Sequence, residues 1–395
     1  MSLAYAKHLF ALGPTVEYGP GVYENIGNVA KGWGCTKAMI VTDPNLVKDG
    51  IVEKIATPLR AQGLSVEIFD KVTTEPTDVY VSEGVDYLIK TGADLLVGLG
   101  GGSAMDCAKC IGVMAENPGR LPQYEGAEAN FPNDKKVSLI SLPTTSGSGA
   151  EIAGWAVITD SARSYKMSLG SPYLEPEYVF VDPLLTIGLP KRQTAYSGMD
   201  ALSQAIEGML SRRRTPISTA LGMYAVQLLA QNLPRAVSHG WDVEARSNMS
   251  IGSLMAGIVI NTSGCISVHS LAEPMGGLYH KPHGLLVGLC LPQVLESLLP
   301  GDHELLAKIA VALGANTIGL PVHEAAKLSI IRVNQILDEL EYPMFSEVGL
   351  KEADIPQIAQ LAVGNACTAD NPCDVGEQDF VLILKNALKD KRPLS

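Results

Sequence analysis

Four side chains able to ligate a metal or move a proton fall within one short stretch: His269, Glu273, His280 and His283. His269 and Glu273 are spaced i, i+4, so a helix projects both from one face. Gly276-Gly277 is expected to break that helix, and Lys281-Pro282-His283-Gly284 reads as a turn into the next apolar helix. Imidazoles from successive helices beside a carboxylate are the donor types of a divalent metal shell. Helix-end or core histidines holding backbone carbonyls suit the same spacing. Asp200 and Gln204 repeat the i, i+4 pattern on a helix otherwise apolar at Met199, Leu202, Ile206 and Met209. Asp200 equally suits a helix cap or a first-turn acid.

A second chemistry is written in two loops. Gly100, Gly101, Gly102 and Ser103 follow an apolar run and open a helix that includes Asp106. Glycines there allow close backbone approach to a diphosphate, and the amides of the helix start favour an anion. Pro143-Thr144-Thr145-Ser146-Gly147-Ser148 also follows an apolar strand, and its hydroxyls at Thr144, Thr145 and Ser148 would complete a dinucleotide cradle. Asp43, ending an early strand, is placed to accept from a ribose 2′-hydroxyl and to repel a 2′-phosphate, which favours NAD(H) over NADP(H). Cys107 and Cys110 form a Cys-x-x-Cys pair with no second pair to accompany it, and are read as packing residues.

These residues need a scaffold. Runs at 38–42, 65–69, 94–99, 137–142 and 178–181 read as strands, separated by helices, with an opening strand or hairpin near Tyr18. That rhythm predicts a doubly wound, mostly parallel sheet. After about residue 190 it gives way to consecutive helices near 198–211, 215–235, 243–263, 267–276, 284–299, 303–314, 322–341, 353–365 and 377–389. The expected plan is an α/β domain over 1–189, an all-helical domain over 190–395, and a cleft between them. With 46% hydrophobic residues and a net charge of −12, the chain is globular, and its lack of a basic stretch argues against a nucleic-acid partner. No apolar run of spanning length and no apolar leader within residues 1–8 point to a cytoplasmic protein without a membrane partner. The odd number of scattered cysteines, seven, suits reduced thiols.

Gly-Gly-Gly-Ser-x-x-Asp (100–106), Pro-Thr-Thr-x-Gly-x-x-x-Glu (143–151), Gly-Met-Asp-Ala-Leu (198–202) and Pro-His-Gly (282–284) resemble the iron-dependent, or group III, alcohol dehydrogenases. The resemblance extends from Tyr18-Gly-Pro-Gly to Cys367-Thr-Ala-Asp-Asn-Pro. It implies a dehydroquinate synthase-like architecture, NAD(P)-dependent interconversion of alcohol and aldehyde, and a homodimer or larger homo-oligomer. It also implies a metal held by Asp200, Gln204, His269 and His283, with Fe²⁺ first and Zn²⁺ or Mn²⁺ as alternatives. Gln204 stands where the family carries a His ligand, and Glu273 where it usually has a further His near the nicotinamide. Glu273 is expected to swing in and complete the shell. Lys166 matches a position near the cofactor ribose, and Glu273 or His280 would move the proton. The expected substrate is a small primary alcohol or a short aldehyde, with room for an anionic one. A lyase of the dehydroquinate synthase type and a nucleotide-binding protein with a degenerate metal site are the competing readings.

Overall fold

Short apolar strands bury both faces of a parallel sheet, and here alternate residues of each strand feed two different cores. Ile40, Val97, Leu99 and Ile140 pack on one side with Ile26, Ile55 and Leu59, whereas Met39, Val41, Leu96 and Leu139 pack on the other with Val81, Leu88 and Ile111. The structure, a computed structural model, describes the chain apart from residues 1–6, 9, 74, 127, 134–135, 164, 390 and 395. The leader reading of residues 1–8 therefore falls largely outside the described residues.

The chain divides into two units. The first, Leu12–Ile187, carries strands β1 (Thr15–Tyr18), β2 (Lys37–Val41), β3 (Ser65–Phe69), β4 (Leu95–Gly100), β5 (Ser138–Pro143), β6 (Trp155–Asp160), β7 (Tyr165–Gly170) and β8 (Tyr178–Val181). Its helices are α1 (Ile26–Gly32), α2 (Pro44–Lys48), α3 (Ile51–Ala61), α4 (Asp78–Thr91) and α5 (Gly102–Met114). Six strands form one parallel sheet in the order β1-β8-β5-β4-β2-β3. The chain leaves β2 for β3 on one side and returns to β4 on the other. The order thus reverses between β2 and β4, and a ligand crevice opens at such a reversal beyond the strands' carboxyl ends. Asp43 and the glycines at 100–102 occupy those two ends.

β6 and β7 form a separate antiparallel hairpin that the strand pattern did not announce. Its inward residues Ala156, Ile158, Met167 and Leu169 join the core that holds α4 and α5, while Trp155 and Val157 face solvent.

The second unit, Gly188–Ser395 with the described residues before Leu12, contains no strand among its described residues. Its helices are α6 (Lys191–Leu210), α7 (Pro216–Ser238), α8 (Val243–Ser263), α9 (Ser267–Tyr279), α10 (His283–Leu298), α11 (His303–Ala312), α12 (Val322–Glu339), α13 (Phe345–Val348), α14 (Ile355–Val363) and α15 (Glu377–Ala387). Contrary to expectation, Gly276-Gly277 does not break α9, which runs on to Tyr279 and closes at His280 in the left-handed region, φ 51°. Glycine inside a helix costs only about 1 kcal/mol, and Met275 and Gly276 are anchored in the core beside Leu286. Among the described residues no single helix is long and apolar enough to cross a membrane.

Candidate active site

In the helical unit, α6 presents Asp200, α9 presents His269 from its first turn, and α10 opens with His283. Their ligating atoms lie within 4.8 Å of one another. Asp200 and His269 are buried, whereas the His283 side chain is 41% exposed. The local sequence allows this convergence. A Cβ on Gly284 would sit 2.2 Å from the Tyr196 carbonyl oxygen of α6, so only glycine lets the first turn of α10 approach there. Tyr342 then donates to the Gly284 carbonyl at 2.6 Å and pins that turn.

Asp200 Oδ1 is buried without a hydrogen-bond partner, yet His269 Nε2 stands 3.6 Å from it and His283 Nε2 3.7 Å. These separations exceed a hydrogen bond. They are close to the roughly 3.3–3.6 Å between donors that share one tetrahedral ion at about 2.0–2.2 Å. Burial raises the Asp200 pKa, but the His283 charge, the His269 contact and a hydrogen bond from Gln204 outweigh it, leaving Asp200 below the usual carboxylate range. Burial works against a charged His269, but the Glu207 and Asp200 carboxylates hold its pKa well above that of ordinary imidazole. Anionic oxygen and imidazole nitrogen around one point, buried on the Asp200 and His269 side and open at His283, make a site that fits a divalent cation.

In the α/β unit the two polar loops meet at adjacent strand ends. Gly100 pairs in register with Pro143, and Thr144 N donates to the Gly100 carbonyl at 2.9 Å. The glycines differ in why they are glycines. Gly100 has φ 150° and would press a Cβ 2.8 Å from Ala104. A Cβ on Gly102 would lie 3.0 Å from Ser148 Oγ. Gly101 has extended backbone, and its Cβ would meet nothing nearer than Thr145 at 3.7 Å. The fold does not need glycine at 101. Glycine there leaves the amides that open α5 uncovered, and a cradle of this kind fits a diphosphate. Ser103 sits in the first turn of α5, with Thr145 and Ser148 half-buried on the facing loop.

Three other residues expected at the cofactor are engaged within the protein. Asp43 caps α2, accepting from Asn45 N at 2.8 Å and Leu46 N at 3.2 Å through Oδ1. Lys166 pairs with Glu75 at 2.9 Å. Asp106 is turned inward, bound to Lys109 Nζ at 3.0 Å and Val157 N at 3.0 Å, so that it fastens β6 onto α5. Cys107 and Cys110 are buried thiols whose pKa values burial pushes up, as packing residues require.

The iron-containing alcohol dehydrogenase model matches residues 14–183, and the C-terminal model of the Fe-containing alcohol dehydrogenase family matches 194–388. The chain belongs to the iron-containing alcohol dehydrogenases. It is 38% identical to the NAD-dependent methanol dehydrogenase of Bacillus methanolicus over 96% of this chain and 99% of that one. To the 1,3-propanediol dehydrogenase of Klebsiella pneumoniae it is 35% identical, over 95% and 98%. The crystal structure of a 1,3-propanediol oxidoreductase superposes with a TM-score of 0.94 at 34% identity, over 97% of this chain and all of that one.

Within this member of the family the two unusual positions are placed differently. Gln204 hydrogen-bonds the Asp200 carboxylate, to which an amide donates only through its N–H. Glu273 lies outside the group formed by Asp200, His269 and His283, and its Oε2 accepts from Asn365 Nδ2. His280 is exposed at the end of α9. We expect Gln204→Ala to weaken Zn²⁺ binding about tenfold, the effect of losing a ~1.5 kcal/mol hydrogen bond to a charged ligand. Glu273→Gln should change it less than about threefold, well under 1 kcal/mol. Calorimetric titration of the stripped variants checks this, and the reverse order would make Glu273 the fourth ligand.

One residue of the site escaped sequence reading. Glu207 is fully buried and its Oε1 lies 2.7 Å from His269 Nδ1. The signal was present, since Asp200, Gln204 and Glu207 follow i, i+4, i+7 along one face of an apolar helix.

Proposed function

We propose that this iron-containing dehydrogenase interconverts a small primary alcohol and its aldehyde with NAD(H), at a divalent metal held by Asp200, His269 and His283 with Gln204 beside them. The observation that carries the reading is the buried, unpartnered Asp200 Oδ1 between two imidazole nitrogens. When bound, the metal (Fe²⁺ first, Zn²⁺ or Mn²⁺ otherwise) supplies Lewis-acid polarisation of the substrate oxygen, and the nicotinamide supplies the hydride. The protein's own residues do the rest. Asp200 contributes the charge that keeps the cation, and the buried walls around His269 exclude water. The amides opening α5, with Thr144, Thr145 and Ser148, hold the diphosphate, and Lys166 lies toward the ribose. Glu273, one turn from His269 on α9, and the exposed His280 are the groups available to move the proton.

Relatives named for methanol, 1,3-propanediol and lactaldehyde support a short substrate. A lyase acting on an acidic carbocycle needs several cations, and of the few candidates, Lys281 and the run 212–214, the three arginines already pair with Asp374, Asp370 and Asp302. We take the enzyme to be a cytoplasmic homo-oligomer, in keeping with its free thiols. The deciding experiment follows NADH oxidation against short neutral, anionic and cationic aldehydes, on protein stripped of metal and reloaded with Fe²⁺, Zn²⁺ or Mn²⁺. Turnover restored only by reloading supports the proposal. Undiminished turnover in stripped protein refutes its metal.

Asp43 supplies a test of cofactor choice. Serine also caps helices, so Asp43→Ser removes the charge while keeping an acceptor for Asn45 N. The ratio of kcat/KM for NADPH over NADH should rise by about tenfold or more, roughly 1.4 kcal/mol of relieved repulsion. An unchanged ratio would remove Asp43 from the cofactor site.

A further inference from the structure

Glu207 does two jobs with its two oxygens. Oε2 accepts from the backbone N–H of Ile266 at 2.9 Å and of His269 at 3.3 Å. Ile266 immediately precedes α9 and has no capping side chain, so α6 supplies the acceptor that this helix start lacks. Oε1 accepts from Ser203 Oγ at 2.7 Å and faces His269 Nδ1 at 2.7 Å. A carboxylate only accepts, so Nδ1 carries a proton, and Nε2, which faces Asp200 and His283, is the nitrogen that can give up its own proton to a cation.

We propose that Glu207 is the positioning residue of the metal centre: one buried carboxylate caps α9 and locks His269 in the Nδ1–H tautomer, presenting Nε2 to the cation. The proposal rests on the reading of Asp200, His269 and His283 as a metal site. It makes glutamine, the gentlest substitution for folding, the most damaging one for the metal. An amide has one acceptor and one donor. The two backbone N–H groups at the Oε2 position demand the acceptor there, which turns the amide N–H toward Nδ1. Only the Nε2–H tautomer accepts that bond, and its Nε2 has no lone pair left for an ion. Alanine removes the cap but dictates no tautomer.

The test compares Glu207→Gln, Glu207→Ala and the wild-type full-length protein. Co²⁺ affinity is read from visible absorption, and the melting temperature is measured without metal. Glu207→Gln should weaken Co²⁺ binding by about 10–100-fold, as loss of such a partner does elsewhere, and more than Glu207→Ala. The melting temperature should fall further in Glu207→Ala. A purely structural role predicts alanine worse on both readouts, and that result, or wild-type affinity in the glutamine variant, overturns the proposal. Should neither variant fold, ¹⁵N shifts of His269 in the Zn²⁺-loaded wild type still decide. A protonated Nδ1 upholds the assignment, and a metal-bound Nδ1 overturns it. Wild-type protein that takes up neither Co²⁺ nor Zn²⁺ would defeat the metal reading itself, a failure distinct from altered affinity in a variant.

Discussion

Asp200→Asn should strip the metal and lower turnover by about three orders of magnitude, on the order of 4 kcal/mol of lost Lewis-acid stabilisation. The side chain keeps its size, so the cause is charge. Among Asp200, His269 and His283, the aspartate alone carries a negative charge, and its Oδ1 is buried with no hydrogen bond to satisfy it. An amide there offers either a weak neutral oxygen or an N–H directed at the ion. NADH binding should be unchanged, because the glycine and hydroxyl loops belong to the other unit. Metal content by elemental analysis, with NADH fluorescence titration on the same sample, checks both halves. A variant that keeps its metal and its turnover would remove Asp200 from the site.

Gly101→Val should produce the complementary failure. Its backbone is extended and an added Cβ makes only ordinary contact with Thr145 at 3.7 Å, so the fold should lose only about 1 kcal/mol from a poorer helix cap. The isopropyl group would instead occupy the space between the two loops and cover the amides that open α5. NADH affinity should fall by roughly 100-fold, about 2.7 kcal/mol, with metal content unaltered. Substitution at Gly100 or Gly102 could not separate these effects, since both glycines also serve the fold. Unchanged NADH affinity in Gly101→Val would place the diphosphate elsewhere.

Much of the scaffold was legible in the chain. Near-continuous apolar runs in strands such as 38–42 and 94–99 already specify a sheet buried on both faces, and the 3.6-residue period after residue 190 specifies helices. Those patterns are local, so local sequence determines them. Glycine placement was legible in kind but not in cause: the triplet at 100–102 announces a close approach, and only the packed structure separates the two glycines the fold requires from the one it does not. At Gly276-Gly277 local propensity pointed to a break, and burial of the α9 face overrode it. The β6–β7 hairpin went unread although Asp160 turns it, accepting from Ala162 N and Arg163 N, because its two strands pair only with each other, outside the strand-helix rhythm that announces the parallel sheet.

The candidate site divides along the same line. Residue types and i, i+4 spacing singled out Asp200, Gln204, His269 and His283 from the sequence. Which way they turn was decided by contacts between distant residues. Glu207 reaches His269 across 62 positions, and Asp106 reaches Val157 across 51, becoming a buried strut rather than a loop acid. Glu273 shares a helix face with His269, yet Asn365, 92 positions away, holds its carboxylate. Periodicity states which side chains share a face of one helix. It carries no information about what another helix brings to that face, and there the tertiary structure alone sets tautomer, charge and reach.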